Sequence, residues 1–191
     1  VEQRDAREMP DGRFVVSTDP PYYDNVPYAD LSDFFYVWHR ASLHDVFPSL
    51  YTTVTVPKVA ELIAEPARSG SPEAAAEYFE AGLREVFRGI VNSQAPEYPF
   101  TIYYAFKQAE SDTSGTASTG WETMLQGLLD GGAMVVATWP VRTELGGGLR
   151  EVGRNALASS VVLACRPRPA AAGAVNRRQF INALKAELPT A

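Results

Sequence analysis

Two adjacent prolines, Pro20 and Pro21, set the strongest constraint on how this chain can fold. Neither can donate a hydrogen bond to a sheet ladder, so a strand that reaches them has to stop. The run before them, Phe14-Val15-Val16-Ser17-Thr18, is apolar and β-branched, which suits a buried strand. The expectation is a first strand over residues 12–19 that ends abruptly at Asp19-Pro20-Pro21-Tyr22. Its tip then presents a carboxylate, a rigid backbone carbonyl and an aromatic ring. In open α/β sheets, ligands bind at the ends of strands. A plain strand-ending turn would explain the tripeptide alone. The strand before it and Tyr22-Tyr23-Asp24-Asn25 after it favour a site.

The remaining elements follow from periodicity and punctuation. Residues 30–40 read as a helix capped by Asp30, with Leu31, Phe34, Phe35 and Trp38 as its core stripe. Residues 41–70 are poorly patterned; a short helix is expected over 59–64, with Lys58 and Arg68 as solvated cations or phosphate contacts. Ser71 and Pro72 open a long helix whose apolar face runs from Ala75 to Ile90. Pro96 and Pro99 frame the turn into a strand over Phe100–Phe106, and Lys107 falls at its end, on the ligand edge. Residues 110–119 lack an apolar anchor and read as a loop. Thr119 and Glu122 can form a capping box for a helix with Trp121, Met124, Leu125, Leu128 and Leu129 on one side. Strands are expected over 133–138 and 159–165, then an Ala/Gly linker. Asn176 and Gln179 cap a last helix bearing Phe180, Ile181, Leu184 and Leu188.

This alternation calls for an α/β fold with right-handed crossovers. The last two strands have no crossover helix between them and are expected to pair antiparallel. Residues 1–168 form the main domain; 169–191 are a linker and a C-terminal helix.

Composition excludes several classes. No apolar run approaches the ~20 residues of a membrane-spanning helix, and a signal peptide is not expected from the opening residues. The single cysteine, Cys165, excludes a disulfide framework and a thiolate zinc site and suits a small core residue in a cytoplasmic protein. His39 and His44 are not at metal-ligand spacing. The net charge of −6 argues against a general nucleic-acid coat. From residue 140 onward, however, eight basic residues stand against three acids, so a local basic face is conceivable there.

The tetrapeptide Asp19-Pro20-Pro21-Tyr22 after such a strand resembles the catalytic motif of S-adenosylmethionine-dependent amino-methyltransferases. Further blocks extend the likeness: Thr18 to Val26, Leu31 to Trp38, Gly120-Trp121-Glu122 and 155–160. Together they are similar to a bacterial and archaeal family of large adenine-specific DNA methylases, some with a zinc ribbon. The resemblance spans most of the chain from Asp5 to Arg168. It implies a Rossmann-like sheet, of which this chain holds the second half, mostly parallel with a final antiparallel hairpin. It implies that Asp19 and the Pro20 carbonyl accept hydrogen bonds from an exocyclic amine, that Pro21 fixes the turn, and that Tyr22 stacks on a base flipped out of DNA. Tyr23, Asn25 and Lys107 are candidate substrate contacts; Asp5 and Asp19 are candidate contacts to the cofactor S-adenosylmethionine. No strand–Gly-x-Gly–helix unit is present; Gly146-Gly147-Gly148 lacks that context. The cofactor-binding half is therefore expected elsewhere, in a longer parent chain or a separate subunit, and the isolated chain is expected to bind the cofactor poorly. The strand before Asp19 is then an open edge that invites pairing with a second copy. Cytosine N4 or an RNA base is the alternative substrate. A non-catalytic methylase-fold module that binds nucleic acid is the alternative class.

Overall fold

The computed structural model describes residues 4–23, 26–106, 119–141 and 159–187. Four strands, β1 (Ser17–Thr18), β2 (Phe100–Phe106), β3 (Ala133–Val141) and β4 (Ser159–Pro167), form one open mixed sheet in the order β1-β2-β4-β3. The helices are α1 (Tyr28–Leu43), α2 (Pro66–Ser69), α3 (Pro72–Ser93), α4 (Thr119–Asp130) and α5 (Arg177–Glu187).

β1 pairs parallel with β2, Thr18 lying opposite Ile102. The expected antiparallel pairing of the last two strands is present, from Ala133 opposite Pro167 to Val141 opposite Ser160. β4 also pairs antiparallel with β2 along its whole length. The sheet is thus mixed rather than mostly parallel, with one parallel pair of neighbours. The physical reason is the path of the chain. α4 carries it from β2 to a β3 that is not adjacent, and β4 fills the slot, satisfying the ladders on both sides.

The core lies on one face of this sheet. Phe100, Ile102 and Tyr104 alternate inward along β2, opposite Cys165, Leu163 and Val161 of β4. α3 and α4 close over them with Phe79, Leu83, Phe87, Met124 and Leu128. Ser71 Oγ accepts the Ala74 N–H at 3.1 Å and starts α3 as expected. Gly132, at φ 91°, turns the chain out of α4 into β3. Asn176 and Gln179 exchange two hydrogen bonds of 2.9 Å at the start of α5, again as expected.

Several expectations are corrected. The first strand is short. Phe14 makes only a bridge to Gln94, and regular pairing is confined to Ser17–Thr18. The opposing segment contains Pro96 and Pro99, which have no N–H to offer. Val15 is exposed, because the end strand is covered on one face only. Residues 59–64 form no helix. Residues 59–60 form a turn and 61–64 follow without regular structure, with Leu62, Ile63 and Ala64 buried, and the side chain of Leu62 occupies the space left by Gly82. α1 begins two residues before Asp30, with no side-chain cap, because Asp30 is drawn to Arg68. The stripe Leu31, Phe34, Phe35 and Trp38 is exposed rather than core. Leu129 faces solvent at the end of α4, and Phe180 and Ile181 are exposed on α5.

No helix among the described residues is long and apolar enough to cross a membrane.

Candidate functional site

The diproline turn lies at the carboxyl end of the parallel pair. β1 stops at Thr18, and Asp19 follows it as an exposed residue. Its carboxylate has no hydrogen-bond or ion-pair partner among the described residues. Pro20 is buried beneath it, which anchors the turn, and Pro21 is half-buried. The acid is thus presented on a backbone that two rings hold rigid.

The aromatic residues after the turn are locked by elements remote in sequence. Tyr22 stands edge-on to Tyr104 of β2, with ring centroids 6.3 Å apart and planes at 87°. Tyr104 is buried; its hydroxyl donates to the Gly120 carbonyl at 3.3 Å, and its ring lies 5.8 Å from that of Trp121. Gly120 and Trp121 belong to the first turn of α4. The sequence block Gly120-Trp121 therefore has a structural role: it buttresses the motif. Gly120 is required by packing, since a Cβ there would lie 2.7 Å from Tyr23 Cβ.

Tyr23 turns into the core. Its ring meets Phe79 edge-on at 5.2 Å, and its carbonyl accepts the Ala64 N–H at 2.7 Å. Tyr22 and Tyr23 thus divide the work, one ring at the sheet edge and the other as an anchor.

Asp5 is engaged locally. Arg7 reaches both of its oxygens, Nη2 to Oδ2 at 2.6 Å and Nε to Oδ1 at 3.0 Å, and the Arg7 N–H adds a bond of 2.9 Å. These bonds hold the Asp5 pKa down at about 2, the side-chain hydrogen bond contributing most. Lys58 and Arg68 are likewise occupied. Lys58 Nζ lies 2.7 Å from Asp33 Oδ2, and Arg68 pairs with Asp30 and, at 2.6 Å, with Glu61. Neither is left as a ready phosphate contact. Asn25 and Lys107 lie outside the described residues, as do residues 108–118, which hold most of the expected loop 110–119, and residues 142–158.

The structure therefore gathers Asp19, Pro20, Pro21 and Tyr22 into one corner and adds Tyr104, Gly120 and Trp121. Tyr104 had a signal in the sequence: it continues the inward alternation Phe100, Ile102, Tyr104 toward the carboxyl end of β2, where the ligand edge lies. Among the described residues, no group of histidines, cysteines and carboxylates could hold a metal ion. No family model, curated protein or solved structure matches the chain.

Proposed function

We propose that this chain carries the catalytic corner of an amino-methyltransferase that acts on N6 of adenine in DNA. The observation that supports this best is Asp19. It is exposed and unpartnered among the described residues, at the carboxyl end of a strand, on a turn fixed by two prolines. The exocyclic amine of adenine is a poor nucleophile because its lone pair is delocalised into the ring. Asp19 accepts from one N–H and the Pro20 carbonyl from the other. The nitrogen is drawn toward tetrahedral geometry, and its lone pair turns outward to the methyl donor. Preorganised hydrogen bonds of this kind are typically worth roughly 3 kcal/mol each in the transition state. Tyr22, steadied by Tyr104, stacks on the flipped base.

The reversed β3–β4 pair is in keeping with the second half of a methyltransferase sheet. S-adenosylmethionine would supply the methyl group. The described residues do not by themselves fit that cofactor: Asp5 is bound on both oxygens by Arg7, and no strand–Gly-x-Gly–helix unit is present. Cofactor binding is assigned to a further segment or subunit.

The test is methyl transfer from labelled S-adenosylmethionine to an adenine-containing duplex by the natural full-length protein. Asp19→Ala should lower the rate by about 100-fold or more, the effect of losing one such acceptor. Equal rates for the two proteins would contradict the assignment. Transfer to cytosine or RNA instead would keep the chemistry and change the substrate.

A further inference from the structure

α1 is an amphipathic helix mounted inside out. Its covered positions, Ala29, Asp33, Tyr36, Arg40 and Leu43, recur at intervals of three and four and define the face turned to the segment 53–68. That face is held by polar contacts. Asp33 accepts from the Val56 N–H at 2.8 Å and from Lys58 Nζ at 2.7 Å. Glu61 accepts from the Ala29 N–H at 2.9 Å, Arg68 bridges Glu61 and Asp30, and the Tyr36 hydroxyl meets the Thr53 carbonyl at 3.1 Å. The opposite face carries Leu31, Phe34, Phe35 and Trp38, exposed to 59, 69, 61 and 65%. A surface helix ordinarily turns its apolar side inward.

The geometry points to a second copy of this chain as the occupant of that face, packed α1 against α1 about a two-fold axis. Area is the first argument. Aromatic side chains each offer 150–250 Å² when fully buried. With Leu31 beside them, the exposed parts of Phe34, Phe35 and Trp38 make on the order of 500 Å² per chain, and two copies reach the roughly 1,000 Å² that a specific interface should clear. Shape is the second. Residues spaced i, i+3, i+4 and i+7 form the seam through which two helices interdigitate, and an isologous contact needs one self-complementary patch. Charge is the third. The stripe contains no lysine or arginine, so it offers nothing to a nucleic-acid backbone or an anionic membrane. An antiparallel pair also opposes the two helix dipoles. This surface is independent of the chemistry at Asp19.

Analytical ultracentrifugation over a concentration series tests the proposal, with circular dichroism to verify folding. The wild-type chain is expected to be a dimer. Phe34→Glu and Trp38→Glu replace exposed side chains, so each should keep the fold and raise the dimer dissociation constant at least 30-fold, the factor of a hot-spot residue. Phe34→Cys should form a disulfide-linked dimer on mild oxidation, while the fully buried Cys165 stays silent. A chain that is monomeric at every concentration overturns the proposal. So does a dimer that ignores both α1 variants but dissociates with Val15→Lys, which would place the contact at the sheet edge, or with Phe180→Glu, which would place it on α5. Co-sedimentation of the monomer with anionic lipid vesicles, lost in Trp38→Glu, would overturn it in favour of a membrane surface.

Discussion

Gly120→Ala probes the buttress under the candidate site with a single methyl group. The added Cβ would meet Tyr23 Cβ at 2.7 Å and Tyr104 Oη at 3.5 Å. The first contact cannot be relieved by a side-chain rotation, because a Cβ moves only with its backbone. Either the first turn of α4 backs away from the sheet or the Tyr22-Tyr23 segment shifts. Overpacking of this kind costs about 1–3 kcal/mol. Helix propensity returns at most ~1 kcal/mol for Gly to Ala, and less in a first turn. The net expectation is destabilisation by about 1–2 kcal/mol, which lowers the Tm of a chain this long by ~2–8 °C. Thermal melts followed by circular dichroism measure it, with Gly173→Ala as the control, since nothing lies within 4 Å of a Cβ there. Near-ultraviolet dichroism should change as well, because Tyr104 and Trp121 lose their mutual geometry. A Gly120→Ala protein that melts at or above the wild-type temperature would refute the close packing of α4 on the motif.

Three further outcomes are expected. Arg68→Ala removes the bridge between Glu61 and Asp30; at this exposed site global stability should fall by less than about 1 kcal/mol, while amide exchange over α1 quickens and that over α3 does not. Burial pushes the Cys165 thiol up to about 12, so a disulfide-exchange reagent should fail to label the native chain at pH 8 and should label it stoichiometrically in denaturant. The Asp5–Arg7 turn has an acid-side dependence. Its carboxyl is depressed from 3.8 to about 2, so its stabilisation is complete above the unfolded value and is lost as pH falls through the folded one. The Arg7 Nε–H resonance should therefore titrate near pH 2, and a midpoint close to 3.8 would show that the pairing is not formed.

What the sequence made legible depends on how local the cause was. β2 is bounded as expected because Pro96 and Pro99 set the turn before it and its apolar alternation runs from Phe100. α3 starts at Ser71 because capping is decided within four residues. α1 shows the limit. The spacing of Leu31, Phe34, Phe35 and Trp38 correctly places them on one helical face, but periodicity does not say which way a face is turned. That was decided by Lys58, Glu61 and Arg68, about thirty residues away, which bind the polar side. The slot filled by β4 is equally non-local, since its two neighbours are far apart in the chain. At the candidate site, Asp19 to Tyr22 stood out because their residue types carry a chemistry. The alternation of β2 carries Tyr104 toward the ligand edge, but the part that Tyr104 and Gly120 play, holding another residue in place, is revealed only by packing.

The central claim is that Asp19 is presented to grip an amine on a base. Nucleoside analysis by mass spectrometry tests it, on DNA incubated with the protein in its natural form and S-adenosylmethionine. N6-methyladenine is expected from the wild type and at least about 100-fold less from Asp19→Ala, which removes one acceptor of the amine. Equal N6-methyladenine from both proteins, or no methylated nucleoside from either, would contradict it.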